Sequence, residues 1–332
     1  MSRLVTIYGG SGFVGRYIAQ RAAHAGWRVR VAVRRTDEAL FVRTYGVVGQ
    51  VEPVPCNIRD EASVKAASQG ADAVVNCVGV LAPEGRNTFE GVQAEGAARI
   101  ARLAKENGVS QMVHISAIGA DANSASAYAK TKGRGEGAVL EHMPRAVILR
   151  PSIVFGPEDQ FFNRFARMAR SSPVLPIVGA ATRFQPVYVD DVAAAAERAL
   201  EGKAAPGIYE LGGPEVSTFR ELMVDMLGVI QRRRLIVNTP FWAARIMGSG
   251  FDLLTRLTFG VVKGPLTLDQ VRNLAKDNVV APDAKSLVDL GIEPVSLAAI
   301  LPSYLWRFRP SGQYAATKAS AQNLHSNRSK EG

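Results

Sequence analysis

The chain has 332 residues, 47% hydrophobic and 21% charged. That balance excludes disordered, collagen-like and coiled-coil classes, and the length supports one large domain or two small ones. Its 40 basic and 30 acidic side chains leave a net charge of +10, which predicts an anionic partner: a nucleic acid, a phosphorylated cofactor or a lipid surface.

No eighteen apolar residues run together, so no membrane-spanning helix is expected. Cys56 and Cys77 are too few for a disulfide framework, which suits a reducing cytoplasm. A strand pattern begins at Leu4, so no leader is expected before it. Strands are predicted over 4–8, 28–33, 51–55, 73–78, 111–116 and 146–150, with helix-period stretches over 14–25, 88–107 and 127–141. Near-continuous Val/Ile strands alternating with helices predict an α/β fold with a doubly wound parallel sheet. Beyond 150 the rhythm loosens: a helix over 159–170, a Pro/Gly-rich loop through Pro173, Pro176 and Gly179, a strand over 184–189, a helix over 190–200 and a strand over 207–211. The division expected is a core over 1–150, with 184–212 returning to its sheet. A smaller, mainly helical C-terminal lobe and docking region over 151–310 follows, then a disordered tail over 311–332.

The first strand runs into Gly9-Gly10-Ser11-Gly12-Phe13-Val14-Gly15. Gly9 permits a tight turn, Gly12 lets the backbone approach a pyrophosphate, and Gly15 lets the helix lie close to the sheet. The unpaired N–H groups of the helix start then face the anion. A strand–turn–helix context of this kind marks a Rossmann dinucleotide site. The second strand ends in Val33-Arg34-Arg35, where an NAD site would place an acid for the ribose 2′-hydroxyl. Two guanidiniums there, with Arg16 past the last glycine, favour the 2′-phosphate of NADPH. Asn57, ending the third strand, is a candidate for the adenine edge or for a turn.

Tyr128 and Lys132 lie one helical turn apart on one face. A tyrosine can protonate a nascent alkoxide near neutral pH only beside a cation that stabilises its phenolate, a role for Lys132. With the glycine turn upstream, residues 3–215 resemble the short-chain dehydrogenase/reductase superfamily, of the extended or atypical kind. The resemblance takes in Asn76-Cys77-Val78-Gly79, closing the fourth strand, and 149–157, which borders the nicotinamide in the family. It implies cofactor contacts for Cys77, Val78, Gly79, Pro151 and Ile153. Further matches are Asp190-Asp191-Val192-Ala193 and Tyr209-Glu210-Leu211-Gly212-Gly213. One element departs. The family's carbonyl-polarising serine has its slot at Ala117, and Ser116 stands one place early, where alternation on a strand end turns it to the opposite face. Ser116 is then expected to be buried, hydrogen-bonded and idle, with impaired chemistry.

In the second lobe, residues 264–271, the run Asp277-Asn278-Val279-Val280 and residues 185–192 resemble one branch of that superfamily. It comprises dehydrogenase-like accessory subunits of respiratory complex I (NADH:ubiquinone oxidoreductase) and bacterial relatives. The resemblance implies tightly held NADPH, vestigial Tyr128 and Lys132, complex I partners at the junction of peripheral and membrane arms, and a place on the cytoplasmic face of a bacterial inner membrane. The alternative is a working NADPH-dependent reductase or sugar-nucleotide epimerase. Residues 232–263 carry six basic residues against Asp252 alone, a net of +5, interleaved with Phe241, Trp242, Ile246, Met247 and Phe251. Such a stretch suits an anionic membrane surface, or else a core-packed helix with snorkelling arginines. The basic residues form no recognition helix and no DNA- or RNA-binding motif, so nucleic acid is not expected as a partner. The four histidines and two cysteines form no metal-ligand spacing, and His114 reads as a satisfied core residue.

Overall fold

The computed structural model describes residues 2–257 and 267–314. Seven parallel strands make the main sheet: β1 (Leu4–Tyr8), β2 (Arg28–Val33), β3 (Val51–Pro55), β4 (Ala73–Asn76), β5 (Gln111–Ile115), β6 (Val147–Pro151) and, far along the chain, β11 (Gly207–Leu211). Their order is β11-β6-β5-β4-β1-β2-β3, so the winding direction reverses between β1 and β4. In such sheets ligands bind at this reversal, outside the carboxyl ends of the strands. All four residues of β4 are buried, the mark of a parallel strand covered on both faces. On one face pack α1 (Phe13–His24) and α6 (Val189–Leu200), whose alanines reach the buried Val5, Ile7 and Val31. On the other lie α2 (Glu61–Ser68), α3 (Glu95–Glu106) and α4 (Ala127–His142), around Val74, Ile100 and Met112.

The second lobe has its own apolar centre. It gathers α5 (Phe162–Ser171), α7 (Phe219–Val229) and α10 (Leu297–Leu305) around Phe162, Leu222, Met226 and Leu301. Three two-stranded pieces frame it: β7 (Val154–Phe155) with β10 (Val187–Tyr188), β9 (Arg183–Phe184) with β12 (Ser217–Thr218), and β8 (Val174–Val178) with β13 (Leu235–Thr239). Helices α8 (Phe241–Leu257) and α9 (Leu268–Leu274) complete it. Among the described residues no helix is long and apolar enough to cross a membrane.

Several expected elements change. Residues 173–179 are not a loop throughout, because 174–178 pair in parallel with 235–239. That partner is too distant in sequence for local pattern to show. The strand expected over 184–189 does not rejoin the main sheet. It splits into β9 and β10, each paired within the second lobe, and only β11 returns. The strand expected over 73–78 stops at Asn76, whose side-chain oxygen accepts the Val78 N–H at 3.0 Å and turns the chain. Residues 232–257 are a strand and then a helix, whereas 258–263 lie outside the described residues, as do 264–266 of the motif and 315–332 of the expected tail.

Candidate functional site

The glycine turn leaves β1 and enters α1 with Gly9 at φ = +75°, a left-handed conformation that disfavours any side chain. A Cβ on Gly15 would press into the Gly9 carbonyl oxygen and lie 2.8 Å from Gly10 Cα, so α1 can sit this close only without one. A Cβ on Gly12 would lie 3.1 Å from the same carbonyl oxygen. Gly12 is the N-cap residue of α1 and no side chain caps that end, which leaves its N–H groups and positive dipole for an anion. Phe13 and Val14 open the helix, with Val14 packed onto the sheet. This cradle, which side chains would fill, fits a dinucleotide pyrophosphate.

A cleft of about 270 Å³ opens over the turn. Of the residues expected to hold cofactor, Gly9, Ser11, Gly12 and Arg34 line it, together with Asn57, Cys77, Val78 and Gly79. Arg34 is exposed and has no partner among the described residues. Arg16 and Arg35 are engaged elsewhere. Arg16 donates to the Ser11 and Gly12 carbonyls at 3.1 and 3.3 Å, bracing the turn, and stands 3.4 Å from Glu158. Arg35 pairs with Glu38 at 2.8 Å. Asn57 makes the turn after all: its side-chain oxygen accepts the Arg59 N–H at 3.2 Å. Arg59, unforeseen, lines the cleft as a second guanidinium, as do Cys56 and Asn87. Its position just past the carboxyl end of β3 was the available signal.

Tyr128 and Lys132 sit on α4 as their spacing requires. The Lys132 ammonium, however, donates to the Ile115 carbonyl at 3.1 Å, and a Cβ on Gly79 would lie 3.5 Å from it. Burial lowers Lys132 to about 8, while Glu136 and Cys77 pull the other way. Burial raises Tyr128 to about 12 with no compensating cation, so the expected phenolate stabilisation by Lys132 is missing from this arrangement. Burial likewise pushes the Cys77 thiol up to about 12. Ser116 is buried, as its register demanded, but its hydroxyl has no hydrogen-bond partner, contrary to expectation. Ala117 takes the more accessible place. His114 is half-satisfied: Nδ1 meets the Asn76 amide at 3.1 Å while Nε2 has no partner, and burial holds the ring neutral, its pKa lowered to about 3. Pro151 ends β6 and Ile153 packs in the second-lobe core; neither lines the cleft.

The second lobe reaches this site through two of its motifs. Asp269 of α9 accepts from Ser126 Oγ at 3.0 Å and from the backbone N–H groups of Ala127 and Tyr128 at 2.7 and 3.2 Å. It therefore caps the helix that carries Tyr128 and Lys132 from across the lobe boundary, and a carboxylate at that end also suits the dipole. In the 277–280 run, Asn278 accepts from Ser152 Oγ at 2.7 Å through its side chain, and Asp277 pairs with Arg183 at 2.8 Å. Val280 donates to Gln185 Oε1 at 3.0 Å. These contacts tie parts of the second lobe together, and the Asn278 amide reaches the first lobe at the Ile118 carbonyl, 3.5 Å away; the motif does not line the cleft.

A cleft at the reversal point of a doubly wound sheet, floored by a glycine-rich turn, defines a Rossmann-type dinucleotide-binding protein. The chain belongs to the NAD dependent epimerase/dehydratase family, whose model matches residues 5–212. It is 34% identical over 93% of its length, and 79% of the relative's, to Arabidopsis thaliana NADH dehydrogenase (ubiquinone) 1 alpha subcomplex subunit 9, mitochondrial. It is 30% identical over 97% of its length, and 84% of the relative's, to the mitochondrial 40 kDa subunit of Neurospora crassa NADH-ubiquinone oxidoreductase. A solved structure of Streptomyces venezuelae dTDP-glucose 4,6-dehydratase with NAD and TYD matches the fold with a TM-score of 0.67 at 19% identity, over 94% of this chain and 99% of that one. The extended short-chain dehydrogenase/reductase resemblance, in the branch that includes complex I subunits, is thereby shown. The expected place at a bacterial inner membrane does not stand, because these relatives are named as mitochondrial subunits.

Proposed function

We propose that this chain is a non-catalytic subunit of respiratory complex I that holds NADPH and stabilises the junction of its peripheral and membrane arms. The observation that carries the reading is the likeness to a subunit of NADH dehydrogenase over 93% of the chain. It spans both lobes, whereas the family model stops at residue 212. For NADPH rather than NADH, the support is the pair Arg34 and Arg59 in the cleft, with no acid at the end of β2. Gly9, Ser11, Gly12 and the start of α1 would hold the pyrophosphate, and Cys77, Val78 and Gly79 would flank the dinucleotide beyond it. NADPH, when bound, offers a hydride. The chain's own residues do little to use it, since no cation stabilises the phenolate that Tyr128 would leave on giving up its proton, Lys132 is committed to a carbonyl and Ser116 is turned inward. The basic, apolar 232–263 stretch would rest on an anionic membrane surface.

The test is gentle solubilisation of the membranes that contain the full chain, followed by affinity capture. Recovery of complex I subunits, with NADPH released on denaturation, is the expected result; a lone monomer overturns the assembly reading. Steady NADPH oxidation against a carbonyl panel, lost in Tyr128→Phe, would overturn the non-catalytic reading and favour a reductase or epimerase.

A further inference from the structure

The second lobe contains a cavity of about 320 Å³, within the ~300–1,000 Å³ of small-molecule sites, and the dinucleotide reading gives it no task. Its walls are mainly apolar, with Phe161, Phe165, Val178 and Met247 beside the polar Arg164 and Gln270. The register explains where it opens. Val174, Pro176 and Val178 pair with Leu235, Val237 and Thr239, so these six share one face of the β8–β13 ribbon. At one end of that face Val174, Leu235 and Val237 are exposed, and at the other Pro176, Val178 and Thr239 line the cavity. Met247 of α8 lines it too yet remains 48% exposed, with Trp242 and Ile246, one turn apart on that helix, 68% and 66% exposed. Exposed apolar residues of the ribbon and of α8 therefore border the mouth of a mainly apolar cavity, which Ile177 also lines from the core-packed face. The surrounding stretch 232–251 holds four arginines and no acid. Arg232 and Arg234 are tied to the Phe308 and Ala169 carbonyls, whereas Arg233 and Arg245 are exposed and unpaired among the described residues.

We propose that this cavity receives an acyl chain of an anionic phospholipid drawn from the bilayer surface, with Arg233 and Arg245 attracting its phosphate. The inference rests on the membrane-facing reading of 232–263 and goes beyond it in assigning the cavity a lipid chain. Hydrocarbon matches the walls, which offer a nucleotide or sugar few hydrogen bonds. The cations, opposed within 232–263 by Asp252 alone, match the headgroup charge.

The test uses the purified full chain and vesicles of phosphatidylglycerol with brominated chains, which quench tryptophan on contact. Trp242→Phe identifies the share of quenching due to Trp242. Wild type is expected to sediment with these vesicles, not with phosphatidylcholine vesicles, and to show strong quenching. Met247→Arg puts a charge in the mouth while raising the surface charge, at a position exposed enough to spare folding. It should still sediment but lose about tenfold in lipid-dependent quenching. Ala244→Leu, which fills the cavity from its wall, should weaken quenching without adding charge. If Met247→Arg quenches like wild type, the cavity inference is overturned and the membrane reading stands. If wild type does not sediment, both fall. If a photoreactive side chain at position 246 in the assembled complex links only to protein, a protein partner takes the place of the lipid.

Discussion

The cleft between β1 and β4 and the cavity beside α8 belong to one chain but are made of opposite materials. The cleft is floored by backbone, because glycines at 9, 12 and 15 keep side chains away, and the guanidiniums of Arg34 and Arg59 line it. The cavity is walled mainly by Phe, Met, Val and Pro side chains, with Arg164 among its lining residues and Arg233 and Arg245 outside it. A site for a dinucleotide pyrophosphate needs fixed dipoles and donors, which a turn and a helix start supply. A site for hydrocarbon needs only surface withheld from water. The two adjoin one shared element all the same, since Asp269, on the helix whose Leu274 lines the cavity, also accepts from the start of the helix bearing Tyr128 and Lys132.

The sharpest way to break this contrast is at Gly15. Gly15→Val should lower NADPH affinity at least about a hundredfold, measured by titration of cofactor fluorescence, because the side chain would collide with backbone that cannot move aside. Lipid-dependent quenching in the second lobe should be unchanged; its loss as well would mean that the lobes do not hold their sites independently. At Arg34, replacement by Glu is expected to cost about ten- to a hundredfold in NADPH affinity while sparing NADH. An equal loss for both cofactors would remove the 2′-phosphate from the account.

Lys132→Met should move stability and binding in opposite directions. It relieves a buried ammonium and so stabilises the cofactor-free protein, by on the order of 1–3 kcal/mol in chemical denaturation at pH 7, yet weakens NADPH binding. The sign in pH follows from the lowered folded value. Between about 8 and the ordinary 10.5 the unfolded chain binds more protons at this site, so its contribution to stability rises with pH across that window and is absent from the variant. A parallel fall in stability and binding would show that the lysine is a structural cation. The smallest effect is expected at Asp269→Ala, about 1 kcal/mol from the lost cap. It should appear as a lower melting temperature with a modest loss of NADPH affinity; an unchanged affinity would disconnect the lobes.

The turn was legible because it is a local event. Seven consecutive residues between a strand and a helix specify their own backbone, and the absence of an acid after Val33 needs no tertiary partner to be read. The Ser116 register was also legible, since period-two alternation is a property of the strand alone. That its hydroxyl would lack a partner was not, because satisfaction depends on whatever lies across the boundary. Arg16 shows the same limit. Its place beside the last glycine suggested a phosphate contact, but the turn's own carbonyls and Glu158 engage it instead. The β8–β13 ribbon could not be found from pattern, because Pro173, Pro176 and Gly179 read locally as a loop and the partner strand begins at Leu235.

Composition and order along the chain thus settled the doubly wound sheet, the cradle for a dinucleotide and the concentration of positive charge in an apolar stretch of the second lobe. These follow from periodicity, backbone freedom and charge, each carried by neighbouring residues. Where Lys132 points, that Asp269 joins Ser126 in capping α4, which of three candidate arginines faces the cleft, and that exposed apolar residues border a cavity were decided only in three dimensions. They depend on separations from three residues, between Arg35 and Glu38, to 142, between Asp269 and Ala127, all fixed only when the chain packs.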